Sequence, residues 1–90
     1  MPEVWLPPKM QSLTGGRDKI HVEGETVRQI VENLEQAFPG MKAELYYEED
    51  DVLMPGISVI IDGEASQLGL LEHVRADSEV HFLPALGGGA

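Results

Sequence analysis

The sequence predicts a two-layer α+β domain, with one amphipathic helix packed on a small mixed β-sheet. Three observations carry this. Residues 26–38 hold the one sustained helical periodicity in the chain. Short alternating or β-branched segments lie on both sides of it. Ninety residues make a single domain, and a chain this short buries only roughly 60–65% of its unfolded surface, so the core is small and depends on patterning.

In chain order, Glu3 to Leu6 reads as a strand, with Val4 and Leu6 on one face and Trp5 on the other. Pro7 and Pro8 end it, because proline cannot donate to a ladder. Leu13-Thr14-Gly15-Gly16-Arg17-Asp18 reads as a turn, and Lys19 to Glu23 alternates again with Ile20 and Val22 together. Two strands around a glycine turn predict an N-terminal hairpin. Thr26 is placed as a helix N-cap with Gln29 as its capping-box partner. Val27, Ile30, Val31, Leu34 and Phe38 form one apolar stripe, and Pro39-Gly40 stops the helix.

Residues 41–56 show no clear period. The acidic run Glu48-Glu49-Asp50-Asp51 is expected in a solvated loop, since it lacks the spacing and glycine of a calcium-binding EF-hand loop. Ile57 to Ile61 is a β-branched strand whose apolar character suggests a central position covered on both faces. Asp62-Gly63 is a turn signal, and residues 67–71 are expected to be a connection with little regular structure. Glu79 to Leu83 is the last strand, placed centrally. The expected core is Val4, Leu6, Ile20, Val22, Val27, Ile30, Val31, Leu34, Phe38, Ile57, Val59, Ile61, Val80 and Phe82.

Formal charge is −10, from 16 acidic residues against six Lys and Arg. That disfavours nucleic acid, whose binding rests on cationic contacts to phosphate, and disfavours an anionic membrane surface. A basic protein partner is the natural complement. The hydrophobic fraction of 42% is that of a globular chain. No run of apolar residues is long enough to span a membrane. The first residues lack the basic and apolar regions of a signal peptide, so a cytoplasmic location is the expectation. Without cysteine the chain has no thiol chemistry and no thiolate ligands for an iron–sulfur cluster. His21, His73 and His81 lack metal-ligand spacing, so no metal site is expected.

The last strand runs into Leu83-Pro84-Ala85-Leu86-Gly87-Gly88-Gly89-Ala90. Three glycines cannot build a core, so the expected organisation is a domain over residues 1–86 and a flexible tail over 87–90. Fully extended, Pro84 to Gly89 reaches roughly 20 Å, enough to enter a narrow channel in another protein.

Taken in order, the segments Leu13-Thr14-Gly15-Gly16, Val22-Glu23-Gly24-Glu25-Thr26-Val27, Ile61-Asp62-Gly63-Glu64, Asp77-Ser78-Glu79-Val80 and the glycine tail resemble the ubiquitin-like β-grasp sulfur carriers. These include the molybdopterin synthase small subunit and the carriers of thiazole and cysteine synthesis. The Leu-Thr-Gly-Gly turn leans toward the cysteine carriers. The resemblance covers nearly the whole chain and implies a ubiquitin-like β-grasp fold and a non-enzymatic carrier. It implies that an E1-like enzyme adenylates the terminal glycine with ATP, and that sulfide or persulfide sulfur displaces AMP to leave a thiocarboxylate. The acceptor would be a cysteine synthase, a thiazole synthase or the molybdopterin synthase large subunit. The chain itself is expected to bind no cofactor.

The family pattern ends on a glycine pair, here Gly88-Gly89, with Gly89 as the adenylated residue. Ala90 departs from that pattern: it is either a cap that a zinc metalloprotease removes between Gly89 and Ala90, as in some relatives, or an extraneous added residue, or a sign that the carrier role is lost. If Ile57, Val59 and Ile61 face the helix, Ile60 lies on the other sheet face with His81 and Leu83. Those three and Leu86 are the expected partner-binding residues. Two other readings stay open: a ubiquitin-like modifier joined to protein lysines, and a plain interaction module with a frayed end.

Overall fold

The computed structural model describes residues 1–84. Strand β1 (Glu3–Trp5) is followed by a 3-10 helix over Pro8–Thr14, then by strand β2 (Lys19–His21). Next come helix α1 (Val27–Ala37), a short helix α2 (Met41–Leu45) and a small hairpin of β3 (Tyr46–Tyr47) and β4 (Val52–Leu53). Strand β5 (Ile57–Ile61), β6 (Glu64–Ala65), a 3-10 turn at Gly69–Leu71 and β7 (Glu79–Pro84) complete the order. Five strands form one mixed sheet in the order β2-β1-β7-β5-β6. β1 and β7 run parallel, while the other neighbours are antiparallel. This is the two-layer arrangement that the sequence pattern predicts and the β-grasp that the resemblance implies, with the last strand at the centre.

Helix α1 forms where the period places it. The Thr26 hydroxyl accepts the Gln29 N–H at 3.2 Å, and the Gln29 side chain accepts the Glu25 N–H at 2.8 Å. The reciprocal half of the capping box therefore reaches one residue earlier than expected. Val27, Ile30, Val31 and Leu34 are buried against the inner face of the sheet, where Val4, Val59, Val80 and Phe82 meet them. Phe38, Ile57 and Ile61 are half-buried at the margin of that core.

Four expectations need correction. The first two strands do pair antiparallel, but the connection holds a 3-10 helix whose Met10 is fully buried. Pro8 suits its first turn, since proline lacks only an N–H that has no partner there. The supposed irregular stretch 41–56 contains α2 and the β3–β4 hairpin. There the Glu35 carboxylate accepts the N–H groups of Gly40 and Lys42, a cap donated from α1 rather than from a neighbouring residue. The stretch 67–71 contains the second 3-10 turn, whose Leu70 is buried. Finally, β5 is not covered on both faces. It is the penultimate strand, Val59 is its one buried residue, and Ile60 lies on the outer face. Central position belongs to β7.

Two of the motif segments meet in one staple. The Asp62 carboxylate accepts the Ser78 hydroxyl at 2.8 Å and the Glu79 N–H at 2.9 Å. Those bonds, with Arg75 at 3.7 Å, hold Asp62 below its ordinary value, the Glu79 N–H contributing most. Asp62 and Gly63 both have positive φ, 52° and 87°, the pattern of a two-residue type I′ hairpin. The β5–β6 turn is thereby tied to the start of β7.

Candidate functional site

Period-2 alternation along β7 sends Val80 and Phe82 into the core and leaves His81 and Leu83 on the outer face. On β1 the same alternation buries Val4 and turns Glu3 and Trp5 outward. Strand register then decides which outward residues meet. Trp5 pairs with His81, His81 with Ile60, and Ile60 with Ala65, so one row crosses β1, β7, β5 and β6. Lys19 of β2 extends the row at the other end. Leu83 lies opposite Ser58 and stands 39% exposed.

The row is held in place before any partner arrives. The Trp5 and His81 rings stack with centroids 5.1 Å apart and planes 6° from parallel. Lys19 Nζ sits 5.2 Å from the Trp5 ring centroid. The indole N–H donates to Glu3 Oε1 at 3.0 Å, and Glu3 also lies 3.8 Å from Lys19 Nζ and 3.9 Å from His21 Nε2. His81 Nε2 approaches Glu79 Oε1 at 3.3 Å. An aromatic and aliphatic patch with a charged rim, on fixed rotamers, loses little side-chain freedom on docking.

Of the sequence-predicted site residues, Ile60, His81 and Leu83 therefore share the outer face of the sheet. Leu86, Gly88, Gly89 and Ala90 lie outside the described residues, as does the boundary between domain and tail at 86–87. Trp5 was missed. Its outward direction was readable from alternation, but its place beside His81 depends on the parallel pairing of β1 with β7. Among the described residues, no group of three or more His, Cys, Asp or Glu side chains is placed to hold a metal ion. No described helix is long and apolar enough to cross a membrane.

The segments that carried the resemblance have structural work. Thr14 is buried, and its one hydroxyl proton is shared between the carbonyls of Arg17 and Gln11, 2.6 and 3.0 Å from the hydroxyl oxygen, closing the Leu-Thr-Gly-Gly turn. On the outer sheet face, Leu83 is left open to another molecule.

Residues 4–89 match the family model described as the ThiS family. No curated protein sequence matches the chain. A chain of the Amycolatopsis orientalis BexX/CysO complex is similar at 31% identity and a TM-score of 0.87, covering 99% of this chain and all of that one. SAMP1 from Haloferax volcanii is similar at 28% identity and a TM-score of 0.71, covering 98% of each chain. Mycobacterium tuberculosis CysO shares the fold at a TM-score of 0.89 with 21% identity, covering 96% of this chain and all of its own.

Proposed function

The chain belongs to the ThiS family of ubiquitin-like β-grasp sulfur carriers, and from that premise we propose that it carries sulfur as a thiocarboxylate on Gly89, formed after Ala90 is removed. The carboxylate oxygen of Gly89 attacks the α-phosphorus of ATP in an E1-like partner, and pyrophosphate leaves. A sulfur nucleophile then attacks the acyl carbon and AMP leaves. Activation is needed because a carboxylate oxygen is otherwise a poor leaving group. The carrier supplies the tail and a surface that seats it, while the partner supplies ATP and catalysis. The thiocarboxylate then gives its sulfur to a biosynthetic intermediate held by a second enzyme.

One observation carries the assignment of Gly89: the family match ends at residue 89 and leaves Ala90 outside it. The outer face supports protein docking, because Trp5, His81, Ile60 and Leu83 present an apolar patch on the strand that feeds the tail. A relative found within a two-protein complex supports a protein partner. A second use of the activated tail, linkage to protein amines, is favoured by the 28% identity to a small archaeal modifier protein. The two differ only at the acceptor.

The test uses chains ending at Gly89 and at Ala90, incubated with an E1-like activating enzyme, ATP and sulfide. Intact mass spectrometry should show the Gly89 form gaining the mass difference between sulfur and oxygen, while the Ala90 form stays unchanged. Leu83→Asp in the Gly89 form should cut the rate of adenylation about tenfold or more, because a charge enters an apolar contact. Stability should change little, since Leu83 is already open to solvent. Equal conversion of the Ala90 form without trimming would remove the gate. Transfer to lysines rather than to a small acceptor would favour the modifier.

A further inference from the structure

The helix side of the molecule carries a second apolar surface. Val52, Leu68 and Leu71 are 44%, 58% and 64% exposed. They are three of the five most exposed large hydrophobic residues among those described, the others being Met1 and Leu83. All three line one groove of about 340 Å³, together with Arg28, Asp51 and Leu70. Arg28 stands on the solvent side of α1, so this groove is on the opposite side of the sheet from Trp5 and His81.

The leucines are held, not loose. Leu70 is buried and anchors the 3-10 turn. The Ser66 hydroxyl accepts the N–H groups of Leu68 and Gly69 and donates to Glu72 Oε1 at 2.7 Å. On the other wall, Arg28 grips Asp51 with two hydrogen bonds of 2.8 and 3.0 Å. A backbone held in one geometry while it presents exposed apolar side chains needs little reordering when a partner covers them.

Charge decides what covers them. Asp51 is committed to Arg28, but Glu48, Glu49 and Asp50 of the same turn have no ion-pair partner among the described residues. They lie two to four residues before Val52 in the chain. A second copy of this chain would bring two such acidic turns together, within a molecule of net charge −10, and is disfavoured by like-charge repulsion. Neighbouring β4 has only two residues, so strand addition there offers few hydrogen bonds.

We propose that this groove docks a basic amphipathic helix of a protein partner. The partner's apolar side chains fit between Leu68, Leu71 and Val52, and its Lys or Arg residues face Glu48, Glu49 and Asp50. Because the groove and the outer sheet face lie on opposite sides, a partner held here leaves the surface beside the tail free.

The test probe is a synthetic helical peptide with Leu on one face and Lys on the other, titrated into the isotope-labelled full chain. Amide shifts should concentrate at Val52, Leu68 and Leu71, and affinity should fall as salt is raised. A double variant, Leu68→Ser with Leu71→Ser, should bind about tenfold more weakly or worse. Both side chains are largely exposed, so the variant keeps its fold, as circular dichroism would verify. Equal binding of a scrambled peptide of the same composition would overturn the proposal, since charge alone would then explain the affinity. Shifts confined to Trp5, Ile60 and His81, or no shifts, would overturn it too. So would self-association of the chain that this double variant abolishes, which would make a second copy the occupant.

Discussion

Gly24 shows how tightly a single residue can be specified. A Cβ built there would lie 2.9 Å from Ile30 Cδ1 and 3.0 Å from the Ile30 backbone nitrogen. Ile30 is fully buried at the centre of the α1 stripe and cannot yield. The glycine thus lets the chain leaving β2 lie directly on the first turn of the helix. Gly24→Ala should destabilise the domain by about 1–3 kcal/mol, in the range of overpacked sites. Urea unfolding would read this as a lower midpoint at unchanged slope, and an unchanged midpoint would mean that the helix start relaxes away. Trp5 makes the complementary point at the outer face. Its indole is fixed by Glu3, Lys19 and His81 together, three residues contributed by three strands.

At the scale of elements, the β3–β4 hairpin is latched to α1 through Asp51. The Arg28 guanidinium and the Tyr46 hydroxyl, which donates at 2.6 Å, hold the Asp51 carboxyl down from an ordinary 3.8 to about 2. A carboxylate whose folded value is depressed stabilises above its unfolded value and loses that contribution as pH falls through the folded one. The latch should therefore be intact above about pH 4 and open as pH falls through about 2. Carboxyl-carbon NMR would follow Asp51 directly, with the amides of Tyr46 to Leu53 moving in the same step. Asp51→Asn should abolish that step. Titration of Asp51 at its ordinary value would mean that the pair with Arg28 is not maintained in solution.

For the molecule as a whole, charge sets the response to salt. Sixteen carboxylates face six Lys and Arg, an excess of ten negative charges. The ion pairs present, such as Lys9–Glu44 and Arg75–Asp77, are exposed and contribute little. Repulsion among the remainder acts on the compact state. The thermal midpoint should rise as sodium chloride goes from low ionic strength to about 0.1 M, where the screening length is about 10 Å. A midpoint that falls instead would show that the paired charges outweigh the unpaired ones.

The sequence by itself determined helix α1, its cap, and the outward direction of Ile60, His81 and Leu83. Each follows from a local period: 3.6 residues for the helix and two for the strands. It also carried the family resemblance, because the turn segments and the glycine tail are read in order along the chain. Tertiary structure decided what no local period encodes. Parallel pairing of Val4 with Val80 brings the first and last strands together and sets Trp5 against His81. Met10, Met41, Leu45, Leu70 and Val74 join the core from stretches without a clear pattern. There the chain is placed by contacts from elsewhere, as when Glu35 of α1 caps α2. The groove at Leu68 and Leu71 has the same origin. Their exposure depends on where α1, β4 and the 3-10 turn come to rest against one another, and an isolated leucine in a sequence does not reveal whether a neighbour will cover it.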